Sequence, residues 1–177
     1  MISRIFFDLD ETLFHTIVGG SPPEQEHFEH WCEVNVGLRM FTIFNPLAYP
    51  LLEHARNLVG NENVLVLTSS LRFYAERLCE RGGYGFRSDQ IFTREDLHEH
   101  RYSGAYGMGY TIPGNLADEN NVLIDNLPPR ENDQKIVYLG IRDWRNRYIQ
   151  VRDYFGVNFP NDSWADDIIE KLNELHK

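Results

Sequence analysis

Lysine is nearly missing from this chain. In 177 residues the first one is Lys135, so all earlier positive charge rests on arginine and histidine. Cysteine is scarce as well. Cys32 and Cys79 cannot build a disulfide framework, so the fold must be held by its own core. Both lie in apolar surroundings and read as small buried hydrophobes. No apolar run is long enough to cross a bilayer, which argues against a helical membrane protein and against a membrane partner. The segment Met1–Phe7 runs straight into acidic residues, without the longer apolar region and cleavage site of a secretory signal, and a cytoplasmic protein is the expectation. Basic residues are outnumbered, 17 against 27 acidic ones, for a formal net charge of −10. That balance disfavours nucleic acid, whose binding begins with neutralising phosphates. No repeat or low-complexity tract divides the chain, and its length and 42% hydrophobic share suit one domain, 1–177.

What is present is a set of short apolar runs, three of which stop at a polar residue. Ile5-Phe6-Phe7 stops at Asp8, Val64-Leu65-Val66-Leu67 at Thr68, and Val122-Leu123-Ile124 at Asp125. Continuous runs of this kind, rather than alternating ones, are the pattern of strands covered on both faces. A fourth run, Ile136-Val137-Tyr138-Leu139, stops at Gly140. Helical spacing is found in Pro46–Leu58, with Leu47, Leu51, Leu52, Ala55 and Leu58 on one face and Pro50 near the first turn. It recurs in Leu71–Arg81, closed by Gly82-Gly83, and in Ser163–Leu175, capped by Asp162 or Ser163. Strands alternating with helices imply right-handed crossovers and a parallel sheet, hence an α/β fold. Trp31–Phe44 breaks that rhythm. Cys32, Val34 and Val36 alternate with polar residues before Gly37, and Met40, Thr42 and Phe44 follow, as in a β-hairpin inserted after the first strand. The stretch from Ser21 to Glu26 reads as a surface loop, and the Gly-rich stretch from Tyr102 to Asn115 as a loop without regular period.

In an open parallel sheet, ligands bind beyond the carboxyl ends of the strands. Asp8, Thr68 and Asp125 occupy those ends here. Asp8 and Asp10 share a direction if the first strand extends that far, and two carboxylates on one side require a cation or a proton between them. Phosphoryl transfer uses both. Mg²⁺ takes a few carboxylate or carbonyl oxygens together with phosphate oxygens and water. Asp8 is placed to attack phosphorus and become an aspartyl-phosphate. Asp10 is placed to protonate the leaving oxygen and then activate water. Thr68 offers a hydrogen bond to the phosphoryl group, Ser69 and Ser70 suit either phosphate binding or a cap on the helix beginning near Leu71, with capping at least as fitting for Ser70, and Asn126 offers a neutral oxygen to the metal. A calcium loop beginning at Asp8 is excluded, because its glycine position is Leu13 and its closing glutamate position is Gly19. An acidic turn that merely caps the next helix explains Asp8 and Asp10 but not the convergence of three strand ends.

At these residues the sequence resembles the haloacid dehalogenase (HAD) superfamily, and within it the phosphatases acting on the C-terminal domain of RNA polymerase II. Phe7-Asp8-Leu9-Asp10-Glu11-Thr12-Leu13 resembles the first motif of that group, and Val66–Ala75, with its Tyr74-Ala75 pair, the second. Ile91-Phe92-Thr93-Arg94-Glu95 is similar to a Phe-x-Arg-Glu segment, and Ile124-Asp125-Asn126-Leu127-Pro128-Pro129 to the fourth motif. The resemblance implies a HAD-like Rossmannoid three-layer fold with a central parallel sheet and a small β-hairpin cap, here about residues 17–45. It implies Mg²⁺ held by Asp8, the backbone carbonyl of Asp10, and Asn126, and an open site that admits a phosphorylated protein or small molecule. Arg94 corresponds to an arginine near the substrate phosphate. One feature departs from the group: its lysine between the second and fourth motifs has no counterpart, and Arg94 or Arg101 is the expected source of that charge.

Three other clusters carry a sharper and a blander reading. His27, His30 and Cys32 provide too few close ligands for zinc and read as surface histidines beside a strand. His98 and His100 lie beside Arg101 and suit a solvated loop better than an anion site. Tyr102, Tyr106 and Tyr110 suit a loop packing its own side chains better than a stacking wall. The chemical reading is thus a phosphomonoesterase. A nucleotide or polynucleotide-end phosphatase is its alternative, as is a phosphate-binding domain weakened by the lost lysine.

Overall fold

The computed structural model describes residues 1–19, 40–93, 95–96, 116–127, 139, 141, 144–154 and 163–177, with the backbone alone of 31–33, 100–101, 108–109 and 144. The strands are β1 (Ile5–Phe7), β2 (Phe14–Val18), β3 (Trp31–Glu33), β4 (Met40–Phe44), β5 (Val64–Leu67), β6 (Ile91–Phe92), β7 (His100–Arg101), β8 (Met108–Gly109), β9 (Val122–Asp125) and β10 (Tyr148–Gln150). The helices are α1 (Ala48–Val59), α2 (Arg72–Arg81), α3 (Trp144–Arg147) and α4 (Ser163–His176). Among the described residues no helix is long and apolar enough to cross a membrane.

A five-stranded parallel sheet, ordered β10-β9-β1-β5-β6, forms the centre. The three apolar runs that stop at Asp8, Thr68 and Asp125 are its three middle strands. Ile5, Phe6 and Phe7 are fully buried because β1 is paired on both sides: Phe7 stands opposite Val66 on β5 and Ile124 on β9. The pleat sorts side chains between two apolar layers. Ile5, Phe7, Val64, Val66, Val122 and Ile124 face α1, α2 and α4. Phe6, Leu65, Leu67 and Leu123 face the other way, onto Leu139, Ile141 and Tyr148. Two outer strands, β6 and β10, do not stand out in the sequence. The run 136–138 lies outside the described residues, and Leu139 sits in a turn beneath the Phe6 layer.

All three expected helices are present. In α1, Ala48, Leu51, Leu52 and Ala55 form a buried stripe at the expected 3–4 spacing. The helix starts two residues later than Pro46, because the Asn45 side chain accepts a hydrogen bond from Leu47 N (2.9 Å) and turns the chain first. Helix α2 starts at Arg72, leaving Leu71 outside it and exposed. It buries Tyr74, Ala75, Leu78 and Cys79. Burial pushes the Cys79 thiol up to about 12, with a smaller push from the Glu76 charge, which fits an inert core cysteine.

The antiparallel insertion is larger than a hairpin. β3 and β4 pair as expected, and β2 adds a third strand on the far side of β4, with Phe14 opposite Phe44 and Val18 opposite Met40. This strand was hidden because it follows the Asp8–Leu13 turn without a break in composition. The stretch from Tyr102 to Asn115 also contains β8, which pairs with β7. The loop from Ser21 to Glu26, His27, His30, Arg94, His98, Tyr102, Tyr106 and Tyr110 lie outside the described residues, as do the side chains of Cys32, His100 and Arg101.

Gly82, just past α2, marks the tightest approach of backbone to core. A Cβ there would stand 2.8 Å from Tyr84 Cε2 and 2.9 Å from Phe44 Cδ1, both on buried rings packed edge to face. Gly82→Ala is expected to cost about 1–3 kcal/mol, the usual penalty of overpacking, measured as a lowered urea midpoint with unchanged slope.

Candidate active site

The hydrogen-bond ladder of the sheet continues one residue past β1, β5 and β10. Asp8 N donates to Ile124 O (2.9 Å), Thr68 N to Phe92 O (3.0 Å) and Val151 N to Asp125 O (2.9 Å). The polar residues at the strand ends are therefore held in the sheet's own register. Asp8 (7% exposed), Thr68 (1%) and Asp125 (1%) are all buried at one edge of an apolar sheet. Buried carboxylates need polar partners, so this edge is where the fold accommodates chemistry.

After Asp8 the chain leaves the strand. Leu9 O accepts hydrogen bonds from Leu13 N (2.9 Å) and, more weakly, from Thr12 N and Phe14 N, reversing the chain within five residues. Glu11 takes a left-handed conformation, φ 62°, unusual for a residue with a side chain. The turn is tied down from three sides. Asn45 N donates to Leu13 O (2.9 Å), Tyr154 N to Glu11 O (2.7 Å), and the Tyr84 hydroxyl also donates to Leu13 O. The Glu11 carboxylate bonds His15 Nδ1 at 2.9 Å.

This turn corrects the pleat argument for Asp10. The strand stops at Phe7, so alternation does not aim the Asp10 side chain. Two hydroxyls do. Ser70 Oγ donates to Asp10 Oδ2 (2.8 Å), and the Tyr74 hydroxyl donates to Asp10 Oδ1 (2.8 Å). Ser70 therefore does not cap α2, whose first turn has no side-chain cap of its own. In the sequence Tyr74 stands out only for its helical spacing and for the Tyr74-Ala75 pair, with no role marked for its hydroxyl. A buried tyrosine needs a partner for its hydroxyl, and that was the available signal. Burial, reinforced by the Asp10 charge, raises the Tyr74 phenol far above its ordinary value, so it stays protonated and donates.

The loop after β5 presents the remaining groups. Thr68 Oγ1 accepts from Ser70 N (3.1 Å), which folds the loop back on itself, and Ser69 between them is exposed. Across β1, Asp125 Oδ1 accepts from Leu127 N (2.9 Å) and shapes the loop that carries Asn126. The Asn126 amide nitrogen donates to Asp153 Oδ1 (3.0 Å), so its carbonyl oxygen is turned away from that carboxylate. Asp153 was not visible as a site residue, because it reaches Asn126 only through the parallel pairing of β10 with β9. Among the described residues no three His, Cys, Asp or Glu side chains are grouped as metal ligands. The donor set on offer is mixed instead: a carboxylate from Asp8, the Asp10 backbone carbonyl, and an amide oxygen from Asn126. All are hard oxygen donors of the kind Mg²⁺ accepts alongside water and phosphate. Thus Asp8, Asp10, Thr68, Ser69 and Asn126 share one edge, while Arg94 and the side chain of Arg101 lie outside the described residues.

The start of α2 is anchored by a separate ionic cluster. Glu95 accepts from Arg72 N (3.1 Å) and so supplies the missing cap. The Arg72 guanidinium bonds Glu76 (2.9 Å) and Asp96, and is thereby committed away from the site. Burial alone would raise the Asp96 carboxyl. The hydrogen bonds and charge of Arg72, with hydrogen bonds from Thr93, outweigh it and hold the group below its ordinary value.

No family model matches the chain, and no curated protein does. The architecture is nevertheless a known one: the sheet order, the flanking layers and the small antiparallel insertion define a HAD-like α/β fold. Solved structures share it. The structure of Fcp1, an essential RNA polymerase II C-terminal-domain phosphatase, superposes with a TM-score of 0.55 at 13% identity, over 98% of this chain and 49% of that one. Fission yeast Fcp1-R271A bound to beryllium fluoride gives a TM-score of 0.48 at 14% identity, over 98% and 50%. The chain therefore spans about half the length of these proteins and shares the fold of the first.

The Asp96 environment yields a pH prediction. A carboxyl with a depressed folded-state value stabilises the fold above its unfolded value and loses that contribution as pH falls through the folded one. Stability should therefore drop as pH falls below about 4. In Asp96→Asn, urea midpoints measured across the acid range should start lower at neutral pH and show a shallower acid decline.

Proposed function

We propose that the chain is a phosphomonoesterase that works through an aspartyl-phosphate on Asp8. The observation that carries this reading is the burial of Asp8 between the Thr68 and Asp125-Asn126 strand ends, with Asp10 two residues on and held by hydrogen bonds. Likeness to the Fcp1 fold supports it.

In this account the Asp8 carboxylate attacks phosphorus as the bond to the leaving oxygen breaks. Asp10 gives its proton to that oxygen. It then takes a proton from water, whose oxygen attacks the same phosphorus and frees Asp8 and inorganic phosphate. Thr68 and the exposed Ser69 bind phosphoryl oxygens. Asp8, the Asp10 carbonyl and Asn126 are the residues that would hold Mg²⁺. When bound, the ion supplies positive charge between an anionic nucleophile and an anionic substrate. Arg94 or Arg101 supplies the cation that the group's lysine would otherwise provide. The insertion is a small three-stranded sheet, which fits a site that accepts a phosphorylated side chain of a protein as well as a small phosphomonoester. A second reading, a phosphate-binding domain with little turnover, is favoured by one observation: residues 69–134 contain no lysine.

Turnover of an aryl phosphate separates the two. The enzyme reading predicts hydrolysis that is lost in EDTA, restored by Mg²⁺, and reduced about 10³-fold or more in Asp8→Asn. Well-folded protein that binds phosphate and turns over no phosphomonoester supports the binding domain instead. A separate prediction concerns Asp153. Asp153→Ala releases the Asn126 amide and should weaken Mg²⁺ binding about tenfold, read from the Mg²⁺ dependence of the thermal midpoint without any substrate.

A further inference from the structure

The Asp10 carboxylate is held by one residue of the loop after β5 and one of α2. Both of its oxygens accept hydroxyl hydrogen bonds at 2.8 Å, one from Ser70 and one from Tyr74. Tyr74 is 8% exposed, and its ring packs edge to face on Phe14 at 6.2 Å, so the phenol has little freedom to turn away. Its oxygen also lies 2.8 Å from Thr16 Oγ1 on β2, which lies 3.0 Å from Thr42 Oγ1 on β4. A phenol carries one proton. A carboxylate oxygen is a stronger acceptor than a hydroxyl, so that proton points at Asp10 and the Thr16 hydroxyl donates to the phenol oxygen. The result is a directed chain of hydroxyls, running from the inserted sheet through Tyr74 to the carboxylate.

We propose that Tyr74, with Ser70, is a positioning residue that holds the Asp10 carboxyl in line with the leaving oxygen and braces it against the inserted sheet. This rests on the reading of Asp10 as the acid-base group. In this role the two hydroxyls act through Asp10. They fix which way the carboxyl faces, and hence whether its proton reaches the leaving oxygen as the bond to phosphorus breaks.

Leaving-group dependence tests this, because proton donation matters for an alkyl phosphate and hardly at all for nitrophenyl phosphate. The value of kcat/KM would be measured for both substrates with the wild type, Asp8→Asn, Asp10→Asn, Tyr74→Phe and Ser70→Ala. Folding of each variant would be checked by its thermal midpoint. Tyr74→Phe keeps the ring and removes only the hydroxyl. The expected result is a loss of about tenfold or more on the alkyl phosphate, within the 10²–10⁴ range of general-acid catalysis, and less than about threefold on nitrophenyl phosphate. Ser70→Ala should show the same selectivity in milder form and decides the matter if Tyr74→Phe does not fold. Equal losses on both substrates, or no loss, in folded variants would overturn the positioning role while Asp10→Asn retains the selectivity. Unchanged turnover in Asp8→Asn would instead overturn the underlying reading of the site.

Discussion

The parallel pairing of β1 with β5 on one side and β9 on the other is the constraint on which the site depends. Each of these strands is built on a short apolar run, so it is stable only when covered on both faces and paired on both edges. In-register pairing then leaves the residues that follow each strand side by side at a single edge. Asp8 and Asp125 are buried there because the ladder extends one residue beyond the apolar run on each strand. Carboxylates in such a place are costly without partners, and the loop after β9 supplies one to Asp125 from Leu127 N. The apolar core and the polar edge are therefore one design: a shift in strand register would misplace every group at the site.

Asp10 shows how much of that site is built outside the sheet. Its position comes from a chain reversal centred on Leu9 O, from a residue in left-handed conformation at Glu11, and from hydroxyls on the loop and helix that follow β5. The anchors of this turn come from far along the chain, from Asn45, Tyr84 and Tyr154. Left-handed conformation at a non-glycine residue carries a local cost that persists only where surrounding structure holds it, and such positions cluster at functional sites. The inserted sheet joins the same arrangement through the hydrogen bond between Thr16 and Tyr74.

The three central strands and the three long helices were legible in the sequence because each has an unambiguous period or an unbroken apolar run. Asp8, Thr68 and Asn126 were legible because they sit where those runs stop. Other features were not, for specific physical reasons. β6 is only two residues long, and β10 (Tyr-Ile-Gln) lacks an unbroken apolar run. β2 begins inside a turn, and its partner β4 is more than twenty residues away in sequence. Ser70 looked like a helix cap because its backbone neighbourhood resembles one, yet Glu95, reaching back from the loop after β6, holds the first turn of α2. Tyr74 and Asp153 act on Asp10 and Asn126 across tertiary contacts that no local spacing encodes. The missing lysine was plain from the sequence, and the structure adds that the nearby Arg72 cannot replace it, since Glu76 and Asp96 already engage its guanidinium.

The central claim is that a phosphoryl group passes through the side chain of Asp8. Acyl phosphates are reduced by borohydride, which converts a phosphorylated aspartate into homoserine. The direct measurement is to quench the protein during turnover of a phosphomonoester with Mg²⁺, reduce it, and map the peptide containing residue 8 by mass spectrometry. The account predicts homoserine at position 8, dependent on substrate and absent when substrate is omitted. Steady turnover with position 8 unmodified, and the phosphoryl group found on another residue, would contradict it.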